Sequence, residues 1–245
     1  MSDFDKRSVR SPIRSLSGYF EDERSQREFV DALFDRSAHD YDFVEGLVGL
    51  GSGRRYRRDA LRRAGLEPGM HVLDIATGTG LVAREALELG GVVTGLDPSA
   101  GMIAEAQRLS FPLVRGLGEQ LPFGGACFDF VCMGFALRHV ADIEVLFEEM
   151  QRVLMPGGTA CILEITLPAN RFVAAPLRVF MTQVVPTVAR AARRDAAALM
   201  RFYWDTIEAC VPSETILASM ERTGFTSIGR NVVFGMFSEY VARKR

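Results

Sequence analysis

The sequence has few lysines, no long uncharged apolar run and no large net charge. Only two of its 29 basic residues are lysine, and 31 acidic residues leave a formal net charge of −2. That balance gives no overall field that would attract DNA or RNA, so no nucleic-acid partner is expected. The most apolar stretch, residues 172–189, contains Pro176, Arg178 and Pro186, which argues against a membrane-spanning helix.

Cysteine is also scarce. The four cysteines, Cys127, Cys132, Cys161 and Cys210, form no C-x-x-C pair, which predicts reduced thiols and no metal site. The N-terminus lacks the apolar core of a secretory signal. We therefore expect a cytoplasmic protein, in a compartment where disulfides are rare.

The length and composition are those of one large α/β domain. The chain has 245 residues, 48% of them hydrophobic and 24% charged, which excludes wholesale disorder. Residues 1–26 have few large apolar side chains and predict a disordered arm. We expect a single domain over residues 27–245, beginning with amphipathic helices at about 27–50 and 54–64.

Short apolar runs then alternate with helical segments. Strands are predicted at 71–75, 92–96, 113–114, 128–133 and 160–165, and helices at 81–89, 99–109 and 143–154. Strict alternation of strand and helix indicates a mostly parallel sheet that is covered on both faces. The predicted fold class is therefore α/β and Rossmann-like.

The C-terminal part departs from that alternation. Residues 167–212 predict a helical insert that caps the substrate site, and a further helix is expected at 214–223. Two alternating runs, 226–234 and 236–242, flank Gly235 and predict an antiparallel hairpin at the sheet edge. The expected sheet has seven strands with an antiparallel last strand, which is typical of methyltransferases and atypical of dehydrogenases.

A glycine-containing loop follows the first predicted strand. Residues 74–80 read DIATGTG and open a helix, and Asp97 ends the second strand. Gly78 and Gly80 allow the backbone to approach a ligand closely, and Asp97 can accept hydrogen bonds from both hydroxyls of a ribose. The same pattern also fits an NAD site, so the loop alone does not identify the cofactor.

Asp74 favours S-adenosylmethionine over a dinucleotide. A dinucleotide places its pyrophosphate over this loop, and a carboxylate shortly before Gly78 would repel it. S-adenosylmethionine has no phosphate and carries an ammonium and a sulfonium, so an acid beside the loop is attractive. The alternative is that Asp74 caps the loop and that Asp97 caps the next helix.

Further motifs occur along the same domain. They cover residues 34–42 (FDRSAHDYD), 118–123 (GEQLPF), 134–140 (GFALRHV), 152–158 (RVLMPGG) and 163–165 (LEI). With the loop, these motifs resemble the class I S-adenosylmethionine-dependent methyltransferases. Within that class the chain is most similar to the C-methyltransferases of ubiquinone and menaquinone biosynthesis. The resemblance implies a class I methyltransferase fold with S-adenosylmethionine as cofactor.

The resemblance also implies the cofactor contacts. They are Thr79 in the loop, Asp97 at the ribose, Gly118 and Glu119 at the adenine, and Gly134 at the methyl end. Asp74, Gly78 and Gly80 join the predicted cofactor-binding residues on the argument from the loop given above. The chain departs from the quinone branch at Ala136 and His139, and at residues 200–204 of the insert. These departures leave the methyl acceptor open.

The predicted catalytic residues are His139 and Arg138. His139 follows the strand at which the acceptor should meet the methyl group, and histidine titrates near neutral pH, so it is the candidate general base. Arg138 can stabilise a phenolate. The alternatives are that His139 is a packed or helix-capping residue and that Arg138 forms a surface salt bridge. His39 is the alternative general base.

Five aromatic residues are predicted to bind the acceptor. They are Tyr41, Phe135, Phe202, Tyr203 and Trp204, and the last three would form a wall for a planar ring unless they are the core of the insert.

The predicted function is methyl transfer to a small molecule, with carbon methylation of a quinol-type or phenol-type ring as first choice. The alternatives are an O- or N-methyltransferase of a secondary metabolite and a cofactor-binding subunit without turnover. For a prenylated quinol we expect peripheral contact with a membrane, and a homodimer is a further hypothesis.

Overall fold

The computed structural model describes residues 12, 23–49, 51–168, 171–191 and 197–245. The helices are α1 (Glu23–Val48), α2 (Gly53–Arg63), α3 (Leu81–Glu88), α4 (Ala100–Ala106), α5 (Ile143–Val153), α6 (Arg171–Val179), α7 (Val185–Ala191), α8 (Ala197–Ala209) and α9 (Ser213–Arg222). The strands are β1 (His71–Ile75), β2 (Val92–Asp97), β3 (Leu113–Arg115), β4 (Phe128–Gly134), β5 (Leu154–Ile165), β6 (Thr226–Val233) and β7 (Phe237–Arg243). Each predicted strand and helix occurs, although β5 begins at Leu154, six residues before the predicted start of that strand.

The strand order is β3-β2-β1-β4-β5-β7-β6. Strands β1 to β5 pair in parallel, and β7 runs antiparallel to both β5 and β6. This confirms the Rossmann-like fold and the antiparallel hairpin at the sheet edge. The order of the strands reverses between β1 and β4, and α/β folds bind ligands beyond the carboxyl ends of the strands at such a point.

Two apolar cores cover the two faces of the sheet. Helix α5 packs on one face through Leu146, Phe147 and Met150. Helices α2 and α3 pack on the other face, where Leu61 and Val82 are buried. Because both faces are covered, the central parallel strands β1 and β4 are almost wholly buried, as their continuous apolar runs predict.

A third core joins the N-terminal helix to the insert. It brings together side chains of α1, α7 and α8, including Leu33, Val44, Ala189 and the fully buried Phe202 and Trp204. The insert therefore packs against α1 at the carboxyl edge of the sheet, where it can shape a site.

The prolines of the insert do not interrupt its first helix. Pro176 lies inside α6, and a π-helical turn, Phe180–Val184, connects α6 to α7. Among the described residues, this continuous helix, Arg171–Ala191, is the one that is long and apolar enough to cross a membrane, with 22% of its most apolar window buried. The prolines and the arginine therefore do not interrupt a long apolar helix here, and helices of this length and composition also occur in soluble proteins.

The predicted arm, residues 1–26, lies outside the described residues except at two places. Residues 23–26 belong to α1. Pro12 is buried, and its carbonyl accepts a hydrogen bond from the Val211 N–H at 2.8 Å. Residues 23–26 are therefore part of a helix, and Pro12 contacts the domain.

Candidate functional site

Two cavities meet at the carboxyl end of β4. The first, here called the loop cavity, is lined by Ala76, Gly78, Asp97, Ser99, Met102, Leu117, Gly118, Glu119, Met133, Gly134, His139 and Ala141, with Val30 and Phe34 of α1. The second, here called the apolar cavity, has a volume of about 410 Å³ and is lined by Val44, Glu45, Val48, Tyr56, Arg57, Leu199, Met200, Phe234 and Phe237, among others. Tyr41, Phe135 and Tyr203 line both cavities.

Asp74 supports the glycine loop from behind. Its carboxylate is fully buried, and Oδ2 accepts hydrogen bonds from the Thr77 hydroxyl at 2.7 Å and the Ala83 N–H at 3.1 Å. Burial raises the pKa of this carboxyl to about 6. Asp74 is not among the residues that line the loop cavity; it holds the loop through Thr77 and the start of α3 through Ala83. This is the capping role that the sequence left as the alternative.

Asp97 lines the loop cavity at the end of β2. Its Oδ2 accepts a hydrogen bond from the Gly78 N–H at 2.8 Å, and its Oδ1 accepts one from the Ser99 N–H at 2.9 Å. Burial raises the pKa of Asp97 to about 6. A carboxylate has about four lone-pair sites, so two remain for the hydroxyls of a ribose. The chemistry and position of Asp97 therefore fit the ribose of S-adenosylmethionine.

Gly118, Glu119 and Gly134 also line the loop cavity. Glu119 Oε1 accepts a hydrogen bond from the Ala141 N–H at 2.8 Å, which connects the loops that follow β3 and β4. A Cβ at Gly134 would lie 2.5 Å from Val82 Cγ2. Packing of β4 against α3 therefore requires glycine at this position, whatever the ligand.

Thr79 and Gly80 have supporting roles. The Thr79 hydroxyl donates to Asp42 Oδ1 at 2.5 Å, and Gly80 has a φ of +86°, with Leu109 Cδ1 in the space of its missing Cβ. Asp35, also on α1, accepts hydrogen bonds from the Ser99 hydroxyl and from the Gly101 N–H. The carboxylates of α1 therefore hold this helix over the loop cavity.

His139 lies in the loop cavity in an apolar environment. Its ring stacks on Phe202 at 5.5 Å and meets the edge of Phe34 at 5.3 Å. Neither ring nitrogen has a hydrogen-bond partner among the described residues. Burial, and then the charge of Arg138, lower the pKa of His139 well below its usual value. This environment disfavours the imidazolium that a general base must form, and it therefore argues against the predicted role.

His39 also lacks the geometry of a base. Its side chain is exposed on α1, with Nδ1 3.7 Å from Glu105 Oε1.

Arg138 is fully buried and paired. Its Nη1 donates to Glu164, its Nε donates to the Thr206 hydroxyl at 3.1 Å, and its guanidinium carbon lies 4.3 Å from the centre of the Tyr203 ring. Burial, the largest single effect, opposes the charge, but Glu164 together with neighbouring groups outweighs it and raises the pKa of Arg138. Arg138 therefore joins β5 to α8 and holds Tyr203 in place, which corrects both the predicted catalytic role and the surface salt bridge.

The predicted acceptor-binding aromatics divide into two groups. The hydroxyls of Tyr41 and Tyr203 are hydrogen-bonded at 2.8 Å where the cavities meet. Phe135 adopts a φ of +61° there, a conformation that bulky residues rarely take and that is found mainly at functional sites. Phe202 and Trp204 belong to the core of the insert instead, as the alternative expected.

Three polar residues of the apolar cavity were missed from the sequence: Glu45, Tyr56 and Arg57. Arg57 is 3% exposed, and its Nη2 donates to Glu45 Oε1 at 2.7 Å. Helix α2 contains six arginines, and their number obscures the fact that Arg57 is buried. The sequence signal for the burial of Arg57 is the helical period, because Tyr56 and Ala60 are buried on the helix face that also contains Arg57.

Solved structures with this fold are methyltransferases. A protein of Thermotoga maritima described as a SAM-dependent methyltransferase, possible histamine N-methyltransferase, is 20% identical with a TM-score of 0.61, over 87% of this chain and 99% of that one. Phosphoethanolamine N-methyltransferase 2 of Haemonchus contortus, solved with S-adenosyl-L-methionine, is 18% identical with a TM-score of 0.65, over 89% of this chain and 60% of that one. These likenesses show that the chain has a fold found in S-adenosylmethionine-dependent methyltransferases.

Sequence comparison places the chain within that class. The model of the ubiE/COQ5 methyltransferase family matches residues 21–244. Demethylmenaquinone methyltransferases of Mycobacterium sp. (strain KMS) and Mycobacterium tuberculosis (strain ATCC 25618 / H37Rv) are 31% and 32% identical, over 88% of this chain and 94% and 92% of theirs. The chain belongs to the ubiE/COQ5 methyltransferase family, and its cofactor is S-adenosylmethionine.

Proposed function

We propose that this enzyme transfers a methyl group to a ring carbon of a quinol. The observation that carries the proposal is the apolar cavity, which adjoins the loop cavity at Tyr41, Phe135 and Tyr203. Its volume of about 410 Å³ is within the range of small-molecule sites. The mycobacterial relatives are named for demethylmenaquinone, which supports a naphthoquinol as the acceptor.

The loop cavity would hold the cofactor in a defined direction. Asp97 would accept the ribose hydroxyls and Glu119 would lie by the adenine, which leaves Gly134 and Phe135 at the methyl end. When bound, S-adenosylmethionine supplies an electrophilic methyl group. The two tyrosines and Phe135 would bring the acceptor ring against that end of the cavity.

Alignment and exclusion of water are the main contributions of this chain. Methyl transfer dissipates the charge of a sulfonium, so a dry, ordered junction favours it. A quinol oxygen raises the electron density of the neighbouring ring carbons. The ring carbon that takes the methyl group then loses its hydrogen as a proton to solvent, which restores the aromatic ring. The apolar walls hold the ring in place during the transfer. A buried, neutral His139 can accept a hydrogen bond from the acceptor but is poorly suited to take its proton.

The proposal is tested with purified protein, S-adenosylmethionine carrying a radioactive methyl group, and a short-chain 2-prenyl-1,4-naphthohydroquinone kept reduced. We expect label in the extracted quinol. A catechol and histamine serve as acceptors for the O- and N-methyltransferase alternatives. Label in one of these, with none in the naphthoquinol, would contradict the proposal.

The proposal extends to a membrane partner. Val173 of α6 lines a surface cavity together with Val232 and Phe234 of the β6–β7 hairpin. Phe172, next to Val173 in the chain, is 80% exposed and Phe234 is 79% exposed, and these four residues are here called the apolar patch. Phe234 also lines the apolar cavity, so the patch borders its mouth. Residues 171–191 contain three arginines and no acid, which suits an anionic lipid surface. A cytoplasmic enzyme could take a prenylated quinol from the membrane through this patch.

Membrane contact is tested by co-sedimentation with phosphatidylglycerol vesicles. The double variant Phe172→Ser/Phe234→Ser should lose binding, whereas Val92→Ser, which changes an exposed valine at the start of β2, should retain it. Equal binding by the double variant would contradict this partner. Concentration-dependent self-association that only the double variant abolishes would identify the patch as a homodimer interface instead.

A further inference from the structure

The apolar cavity has one polar end, made by Glu45 of α1 and by Tyr56 and Arg57 of α2. Arg57 and Glu45 form an ion pair with a Nη2 to Oε1 distance of 2.7 Å. Gly53 makes space for this pair, because a Cβ there would collide with Glu45 Oε1 and Arg57 Nη1. The cluster is therefore packed closely, and its orientation is fixed before a ligand arrives.

Three hydrogen-bonding groups of this cluster are left unmatched. The Tyr56 hydroxyl and the Nε and Nη1 groups of Arg57 are buried and have no hydrogen-bond partner among the described residues. Buried donors without partners are rare and unfavourable in folded proteins. A ligand oxygen in the cavity would satisfy them.

The cluster lies close to the place where the cavities meet. The guanidinium carbon of Arg57 is 5.3 Å from the centre of the Phe135 ring, and the Tyr56 ring is 6.3 Å from the same ring. Phe135 lines both cavities. An acceptor ring beside Phe135 would therefore have its substituents within reach of these donors.

We infer that Tyr56 and Arg57 bind an oxygen of the methyl acceptor, and that the apolar cavity thereby selects ring compounds with a hydroxyl or carbonyl group. Glu45 already balances the charge of Arg57, so the cluster suits an uncharged oxygen rather than a carboxylate. Arg57 thus takes the oxygen-binding role that the sequence assigned to Arg138. The inference rests on the ring acceptor proposed above.

The test compares two probes of similar shape, 1,4-dihydroxynaphthalene kept reduced and 1,4-dimethylnaphthalene, by calorimetric titration of the protein saturated with S-adenosylhomocysteine. Tyr56→Phe should weaken binding of the dihydroxy probe by about three- to tenfold and leave the dimethyl probe unchanged. Because it removes an unmatched buried hydroxyl, it should not lower the Tm. Arg57→Lys, which keeps the charge opposite Glu45, should weaken binding of the dihydroxy probe by about tenfold or more.

Tyr240→Phe is the matched control, because the Tyr240 hydroxyl donates to Ser213 in the core. It should lower the Tm and bind both probes normally. If Tyr56→Phe and Arg57→Lys both bind the dihydroxy probe as the wild type does, the inference is wrong and the ring acceptor stands. If the wild type binds neither probe, the ring acceptor itself is wrong.

Discussion

Replacing the carboxylate of Asp97 should weaken cofactor binding more than it weakens the fold. Asp97→Asn keeps the size of the side chain but removes one charged oxygen from the loop cavity. Losing one hydrogen bond to a charged group costs about 2 kcal/mol, which is about 30-fold in Kd. The ligand-induced rise in Tm measures this loss in affinity. It is the difference between the Tm of one variant with ligand and without it, so a change in the stability of the free variant cancels.

The size of the effect can be worked out for S-adenosylhomocysteine. At about 100 times its Kd, the ligand stabilises the wild type by about 2.7 kcal/mol, or about 5–11 °C in Tm for a chain of this length. At the same concentration the variant gains about 0.9 kcal/mol, so about two thirds of the rise in Tm is lost.

Asp129→Asn is the control for this experiment. Asp129 also accepts a backbone hydrogen bond, from the His71 N–H at 2.8 Å, but at the opposite end of the sheet. It should keep the full ligand-induced shift. A full shift in Asp97→Asn, or an equal loss in both variants, would refute the assignment of Asp97 to the ribose.

Three further predictions follow from the buried charges and rings. Because the pKa of Asp97 is about 6 in the free protein and its ionised form accepts the ribose hydroxyls, calorimetry should show S-adenosylhomocysteine affinity falling as the pH is lowered through that value, and Asp97→Asn should lose this dependence. Arg138→Met leaves Glu164 buried and unpaired, so urea denaturation should show a free energy of unfolding that is lower by about 3–5 kcal/mol. The double variant Arg138→Met/Glu164→Leu should regain most of it, and equal losses in the single and double variants would contradict the pairing. His139→Phe should keep kcat within about tenfold at neutral and alkaline pH, whereas the loss of a general base would cost about 10²- to 10⁴-fold.

The sheet was predictable because its signals are local. Buried parallel strands appear as short apolar runs, and the glycines of the loop at residues 74–80 have positive φ where the chain turns into α3. The hairpin around Gly235 is likewise visible as two alternating runs. Prolines misled the expectation for residues 172–189, because the helix continues past Pro176 and Pro186, with the π-helical turn Phe180–Val184 between them.

The site was less predictable because the role of each residue depends on the direction in which its side chain points. Asp97 and Glu119 line the loop cavity, but Asp74 turns behind the loop to Thr77. The helical period indicates that Arg57 is buried, but it does not show that Arg57 reaches the apolar cavity whereas Arg138 is buried against Glu164. That distinction arises only when α1, α2 and α8 pack around one space.

The most direct test of carbon methylation uses a 2-prenyl-1,4-naphthohydroquinone with deuterium at the free ring carbon next to the prenyl group. A methyl group that enters at carbon must displace the deuterium, whereas one that enters at oxygen leaves it in place. Mass spectrometry of the product therefore separates the two reactions in a single spectrum. We predict a methylated product without deuterium, and a methylated product that retains it would contradict the central claim.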